Sequence, residues 1–189
     1  MPKITSHQNK MPDISGLMTV VGCYLASSLA GSFQSRGYDK NKNTLITRFV
    51  TLIDKAKYEY SMAREAVSEE IKEKSMTYDE IIKRGDGQYL YITKITNHLE
   101  NCIITLGILF KLLKKLDKST YEELNTKNIT DIRNSIIHIE DRITQGINGG
   151  IILKINEEGT LISLLDHELF ISDLAEVIKK LNFYIRNLL

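Results

Sequence analysis

The chain has 189 residues, of which 42% are hydrophobic and 26% charged, and 25 Lys and Arg against 24 Asp and Glu leave a net charge of +1. This length is typical of one domain, or of one domain with an extension, and the apolar content excludes a disordered chain. The two cysteines, Cys23 and Cys102, exclude a disulfide framework and a four-cysteine zinc site. The balanced charge argues against nucleic-acid binding through bulk positive charge, although a local basic patch is compatible with it.

The segment from Ile14 to Ser35 contains no Asp, Glu, Lys or Arg. A stretch of this length is long enough to span a bilayer, but serines, glycines and Gln34 dilute it and its apolar part, 17–25, is short. We expect a helix that packs on the domain, the alternatives being a signal peptide or a membrane anchor. The polar segment 36–43 is predicted to be a linker. Residues 1–42 are therefore expected to be an extension with one helix, followed by a helical bundle over 43–189.

Four stretches of the chain repeat apolar residues in alternating steps of three and four. They cover 49–67, 92–116, 129–143 and 171–188. Such spacing keeps apolar side chains on one face of a helix, and four such faces are best buried in a shared core. Turn-forming residues at 85–87 and 117–126 separate the stretches. The fold class predicted is all-α, a bundle of four long helices.

Between the third and fourth stretches the pattern changes to two short β-branched runs, 151–155 and 160–165, around a turn that contains Gly159. This pattern predicts a short β-hairpin insert. A lone hairpin is marginally stable, so we expect it to lean on the bundle. His167 follows the second run, and we place it near the start of the last helix.

The third helix is the most informative part of the sequence. At about 100° per residue, its isoleucines at 132, 136, 139 and 143 share one side of the helix. Arg133 and His138 fall on the two flanks of the opposite side, with Asn134, Ile137 and Asp141 between them. Because Ile137 is apolar and points away from the core, this face is expected to contact another surface, such as a second copy of the chain.

The pattern Arg133-Asn134-x3-His138 resembles that of the HEPN family, whose members are helical bundles with an R-x4-6-H motif on a core helix. The resemblance covers about 43–189. It implies that Arg133 and His138 are the catalytic pair, with Asn134 beside them, in a metal-independent endoribonuclease that needs no cofactor. One subgroup has a modified Tyr two residues after the His. Glu140 stands there in this chain, which argues against that form of control.

The resemblance also implies the setting of the activity. Family members of this kind act as homodimers, here through the face of the third helix, and serve in antiviral defence or as toxins. The expected partners are therefore RNA, a second copy and an inhibitor or antitoxin protein, in the cytoplasm and without a membrane.

RNA can be cut without metal when its 2′-OH attacks the adjacent phosphate, which leaves a 2′,3′-cyclic phosphate and a 5′-hydroxyl. The unperturbed pKa of His lies near neutrality, so a histidine can take or give the proton, and Arg can bind the charged phosphate oxygens bidentately. Three acidic residues stand close enough along the chain to orient Arg133 or His138, and the sequence leaves open which does so: Asp131, Glu140 and Asp141.

The end of the second helix carries four lysines that either form a solvated helix end or contact the RNA backbone: Lys111, Lys114, Lys115 and Lys118. His98 and Glu100 lie off the apolar stripe and are assigned to the surface, whereas Cys102 lies in the stripe and is assigned to the core. The alternative to the ribonuclease is a HEPN-like interaction or nucleotide-binding module that does not cleave RNA.

Overall fold

The computed structural model describes residues 4–29, 37–73, 89–146 and 152–189, so the predicted turn at 85–87 lies outside the described residues. This part of the chain is mostly helical, with a small antiparallel sheet. Its helices are α1 (Val20–Leu29), α2 (Lys40–Glu73), α3 (Tyr89–Leu116), α4 (Lys118–Glu122), α5 (Lys127–Ile137), α6 (Ile139–Thr144) and α7 (Ile171–Leu188). Its strands are β1 (Lys154–Ile155), β2 (Leu161–Leu164) and β3 (His167–Phe170). Within these ranges, no helix is long and apolar enough to cross a membrane.

The two longest helices, α2 and α3, form the centre of the fold. Their contacts run in opposite order along the two helices, from Glu69 with Lys94 to Ala56 with Cys102, so they pack antiparallel. Large side chains from both helices, such as Phe49, Tyr60 and Leu106, are fully buried. The predicted stripes of the first two helices therefore face a shared core, which α7 completes with Leu174, Ile178, Leu181 and Ile185.

Helix α2 begins at Lys40, so the last four residues of the predicted linker are helical. The cause is Asp39, whose carboxylate accepts a hydrogen bond from the backbone N–H of Lys42 at 2.7 Å. This bond satisfies one of the amides that a helix leaves open at its start. The prediction gave weight to the polar composition of the segment and missed this capping residue.

The N-terminal residues share the same core. Ile4, Met11 and Ile14 are buried, and α1 begins where the Asp54 carboxylate accepts hydrogen bonds from the backbone N–H groups of Val20 and Val21, at 2.9 and 2.8 Å. The negative carboxylate stabilises the positive end of the helix dipole there. The residues expected to form an extension with one helix thus contain that helix, and side chains of α2 hold it in place.

The predicted hairpin is present as β1 and β2, which pair antiparallel around a turn in which the Asn156 side chain accepts hydrogen bonds from the backbone N–H groups of Thr160 and Leu161. A third strand, β3, pairs with β2, so His167 lies in a strand and its predicted place near the start of the last helix is wrong. The turn between β2 and β3 contains Leu165 at φ 55°. Leucine rarely adopts this conformation, and position 165 has neither the Gly nor the Asn that usually marks it in a sequence.

The third helix is not continuous, contrary to the prediction. It ends at Ile137, His138 has φ −100° and ψ 20°, and α6 starts at Ile139. No Gly or Pro marks this break, but the surrounding isoleucines are β-branched and lose side-chain freedom in a helix. The break also limits the apolar stripe, because Ile132 is buried whereas Ile143 is 49% exposed.

Candidate functional site

Arg133 lies on α5 and crosses the neighbouring helix α3 at Gly107. Its Cγ and Nε atoms lie 3.0 Å, and its Cδ atom 3.1 Å, from the point that a Cβ atom on Gly107 would occupy. The Nε atom is buried and has no hydrogen-bond partner in the described structure. At the other end of the guanidinium, Nη1 donates a hydrogen bond to Oδ1 of Asn134 at 2.9 Å, on the exposed side of the helix. Arg133 is therefore anchored along its stem and reaches the surface with its terminal nitrogens.

His138 occupies the break between α5 and α6. Its Nδ1 atom lies 3.2 Å from Oδ2 of Asp141, and the two side chains are 60% and 73% exposed. Such an exposed ion pair contributes little to stability, because water screens both charges. Its effect is orientation, since a bond at Nδ1 directs Nε2 away from the carboxylate.

Of the three acidic residues proposed from the sequence to orient the pair, one does so. Asp141 pairs with His138, and Asn134 rather than a carboxylate pairs with Arg133. Within the described ranges, the side chains of Asp131 and Glu140 form no hydrogen bond or ion pair with either residue. The sequence left this choice open because all three carboxylates lie within one helical turn of Arg133 or His138.

Three isoleucines on helices that carry the pair or contact Arg133 are exposed. Ile137, between Asn134 and His138 on the chain, is 44% exposed, Ile108, next to Gly107 on α3, is 36% exposed, and Ile143 on α6 is 49% exposed. These three residues are named the isoleucine patch. Exposed large apolar side chains can mark a contact surface.

The four lysines of the predicted basic end are all exposed, but they do not act as one group. Lys114 lies with its Nζ 5.7 Å from the centre of the Tyr121 ring, and Lys118 pairs with Glu122 of its own short helix at 3.5 Å. Lys111, Lys114 and Lys115 follow Gly107 by four, seven and eight residues, so all three lie toward the side of α3 that Arg133 contacts. Since Lys114 is directed to the Tyr121 ring, Lys111 and Lys115 are the candidates to extend the site.

The surface assignment of His98 is wrong. Its Nδ1 atom lies 2.7 Å from Oε2 of Glu59 on α2, and the two side chains are only 22% and 11% exposed. One turn further along α3, the Cys102 thiol donates a hydrogen bond to the carbonyl of Ala56. Burial raises the pKa of Cys102, and the nearby Glu59 carboxylate raises this pKa further. The prediction missed this pair because Glu59 and His98 are 39 residues apart and meet only when the helices pack.

Glu100 is also less exposed than its surface assignment suggests. It is half-buried, and this burial raises the pKa of its carboxyl group. Across the residues that the structure describes, no group of three or more His, Cys, Asp and Glu side chains is arranged to hold a metal ion.

Comparison with known proteins identifies no relative. The chain matches no protein-family model, no curated protein and no solved structure.

Proposed function

We propose that this protein is a metal-independent endoribonuclease whose catalytic residues are Arg133 and His138. The observation that carries the proposal is that both side chains reach the surface from one short stretch, each held by its own partner, Asn134 and Asp141. An anion-binding guanidinium and an oriented imidazole are the two groups that metal-free cleavage of RNA requires.

In this mechanism, the 2′-oxygen of a ribose loses its proton and attacks the adjacent phosphorus atom, while the bond to the 5′-oxygen of the next nucleotide breaks. Arg133 binds the phosphate oxygens, whose negative charge grows in the transition state. Imidazoles near neutral pH supply both proton transfers, as base to the 2′-OH and as acid to the leaving 5′-oxygen. The products are a 2′,3′-cyclic phosphate and a 5′-hydroxyl.

Two imidazoles are available if the enzyme is a homodimer. The isoleucine patch supports this part of the proposal, because Ile137 lies between the two functional residues on the chain and is 44% exposed, and a second copy would remove this apolar surface from water. A two-fold contact on this face brings both His138 side chains and both Arg133 side chains into one groove. Lys111 and Lys115 would then contact the RNA backbone at the edges of that groove.

In this proposal, four helical segments form a HEPN-like bundle: α2, α3, α5 with α6, and α7. The biological setting is defence or toxin activity in the cytoplasm, and an inhibitor or antitoxin protein would protect the host RNA.

The test uses purified protein with end-labelled tRNA and mRNA in EDTA. Wild type is compared with His138→Ala and with His7→Ala, which removes another exposed histidine and serves as the matched control. Cleavage by wild type and His7→Ala but not by His138→Ala, with cyclic phosphate ends, supports the proposal. Equal cleavage by all three proteins contradicts it.

The second candidate is an interaction module that carries the same residues without cleaving RNA. The isoleucine patch favours it as much as it favours a dimer, since such a patch binds any complementary protein. Ile137→Asp separates the two, because it should dissociate a homodimer in sedimentation equilibrium and abolish cleavage together. Absence of cleavage by the wild type across all substrates would favour the module.

A further inference from the structure

Gly107 lies in the interior of α3, the second longest helix of the described chain, and it is buried. Glycine is one of the least favourable residues in a helix interior, because its backbone loses the most freedom on folding. Gly107 does not form a turn, and the helix continues for nine residues beyond it. Its presence therefore calls for a local reason.

A side chain at position 107 would be in very close contact with Arg133. The three atoms closest to the point of a Cβ are all from Arg133, at 3.0 to 3.1 Å, and none is a backbone atom of α5. The closest approach at Gly107 is therefore by one side chain, which belongs to the candidate site.

We propose that Gly107 is a positioning residue for Arg133. Without a Cβ on α3, the stem of Arg133 lies flat against the helix, its Nε atom is shielded from water, and Nη1 reaches Asn134. A methyl group at Gly107 forces the stem outward by a few tenths of an ångström or into another rotamer, and this moves the guanidinium away from the position in which it binds phosphate. The activity part of this inference rests on the proposed ribonuclease function, whereas the placement of Arg133 does not.

The matched control is a second helical glycine, Gly22 of α1, where the nearest atom to a Cβ is Oγ1 of Thr19 at an ordinary 3.4 Å. The methyl group of an alanine fits at position 22, whereas at position 107 it comes too close to the Arg133 side chain. Four variants therefore test the inference: Gly107→Ala, Gly22→Ala, Arg133→Ala and the double variant Gly107→Ala with Arg133→Ala.

The first readout needs no activity. The Nε–H resonance of Arg133 is assigned in a nitrogen-correlated NMR spectrum by its absence in Arg133→Ala. We expect Gly107→Ala to shift this resonance and to speed its exchange with water several-fold, whereas Gly22→Ala leaves both unchanged. An unchanged Arg133 resonance in Gly107→Ala overturns the inference, whether or not the wild type cleaves RNA.

The second readout is RNA cleavage together with the melting temperature. We expect Gly107→Ala to lower kcat about ten-fold without lowering the melting temperature, because small displacements of a catalytic group have large effects on rate. In a protein that already carries Arg133→Ala, adding Gly107→Ala should lower neither kcat nor the melting temperature further. A melting temperature that falls equally in both backgrounds would assign Gly107 to helix packing, and full activity of Gly107→Ala would also overturn the inference. A wild type that cleaves nothing contradicts the proposed function alone, because the NMR result still decides the placement of Arg133.

Discussion

The structure contains two histidine–carboxylate pairs that look alike in their bonding and differ in their surroundings. His98 and Glu59 join two long helices at 2.7 Å and are largely buried. His138 and Asp141 are three residues apart, meet at 3.2 Å and are mostly exposed. The first pair joins two helices of the core, whereas the second is open to solvent, where we propose that it meets RNA.

Burial, rather than the hydrogen bond itself, decides what each histidine–carboxylate pair contributes. Removing His98 leaves the Glu59 carboxylate without its partner at a site with little access to water, which is costly. Removing His138 leaves Asp141 in water, where an unpaired carboxylate costs almost nothing. The two histidines should therefore separate stability from activity.

The largest expected difference between the pairs concerns activity. His138→Ala should lower the rate of RNA cleavage by at least about 100-fold, the usual effect of losing a general acid or base. His98→Ala should leave the rate per folded molecule unchanged, because the His98 pair lies between α2 and α3 and not on α5. Single-turnover cleavage, corrected for the folded fraction by circular dichroism, measures both. Equal losses in the two variants would contradict the distinction.

The next difference concerns stability. His98→Ala should lower the free energy of unfolding by about 1–3 kcal/mol, the cost of leaving a buried polar group unpaired. His138→Ala should change this free energy by less than about 0.5 kcal/mol, as is typical of exposed positions. Urea denaturation of both variants provides the comparison. The double change His98→Leu with Glu59→Leu is the control, since it removes both polar groups and should restore part of the loss.

The exposed pair can also be tested by changing its carboxylate, Asp141. Asp141→Asn removes the charge that orients His138 but keeps the shape of the side chain, and we expect an approximately ten-fold loss of cleavage with unchanged stability. Glu140→Gln is the matched control, since Glu140 is exposed and adjacent but does not pair with His138. If both variants lose activity equally, the general negative charge of α6 matters and the specific pair does not.

The smallest expected effect is on stability and concerns a third carboxylate, Asp117. Like His138, Asp117 bonds to residues only two or three positions away in the sequence. Hydrogen bonds from Ser119 and Thr120 lower the pKa of Asp117 from 3.8 to about 2. A carboxyl with a lowered pKa stabilises the folded state above its unfolded pKa, and this contribution is lost as the pH falls through about 2. Because Asp117 is solvent-accessible, the effect should stay below about 1 kcal/mol.

An NMR titration of the Asp117 carboxyl carbon checks this prediction, with Ser119→Ala combined with Thr120→Val as the control that should return its pKa toward 3.8. A titration midpoint near the ordinary value in the unaltered protein would show that the hydrogen bonds from Ser119 and Thr120 do not form in solution.

The features of this protein that the sequence alone predicted are those encoded within a few residues. Alternating apolar steps of three and four predicted the long helices, because helix periodicity repeats every 3.6 residues whatever the rest of the chain does. The hairpin of β1 and β2 was predicted from two β-branched runs around a turn that contains Gly159. The residues of the candidate site were named from their spacing on one helix.

Only the tertiary structure decided the features that depend on separate helices. The meeting of Glu59 with His98, and of Gly107 with Arg133, follows from the way in which α2, α3 and α5 pack, and no local pattern records which side chains will touch. The break at His138 and the turn at Leu165 carry no Gly or Pro, so short-range propensities missed both. Periodicity shows which face of a helix is buried, whereas the partner on that face is chosen by the packing of the whole chain.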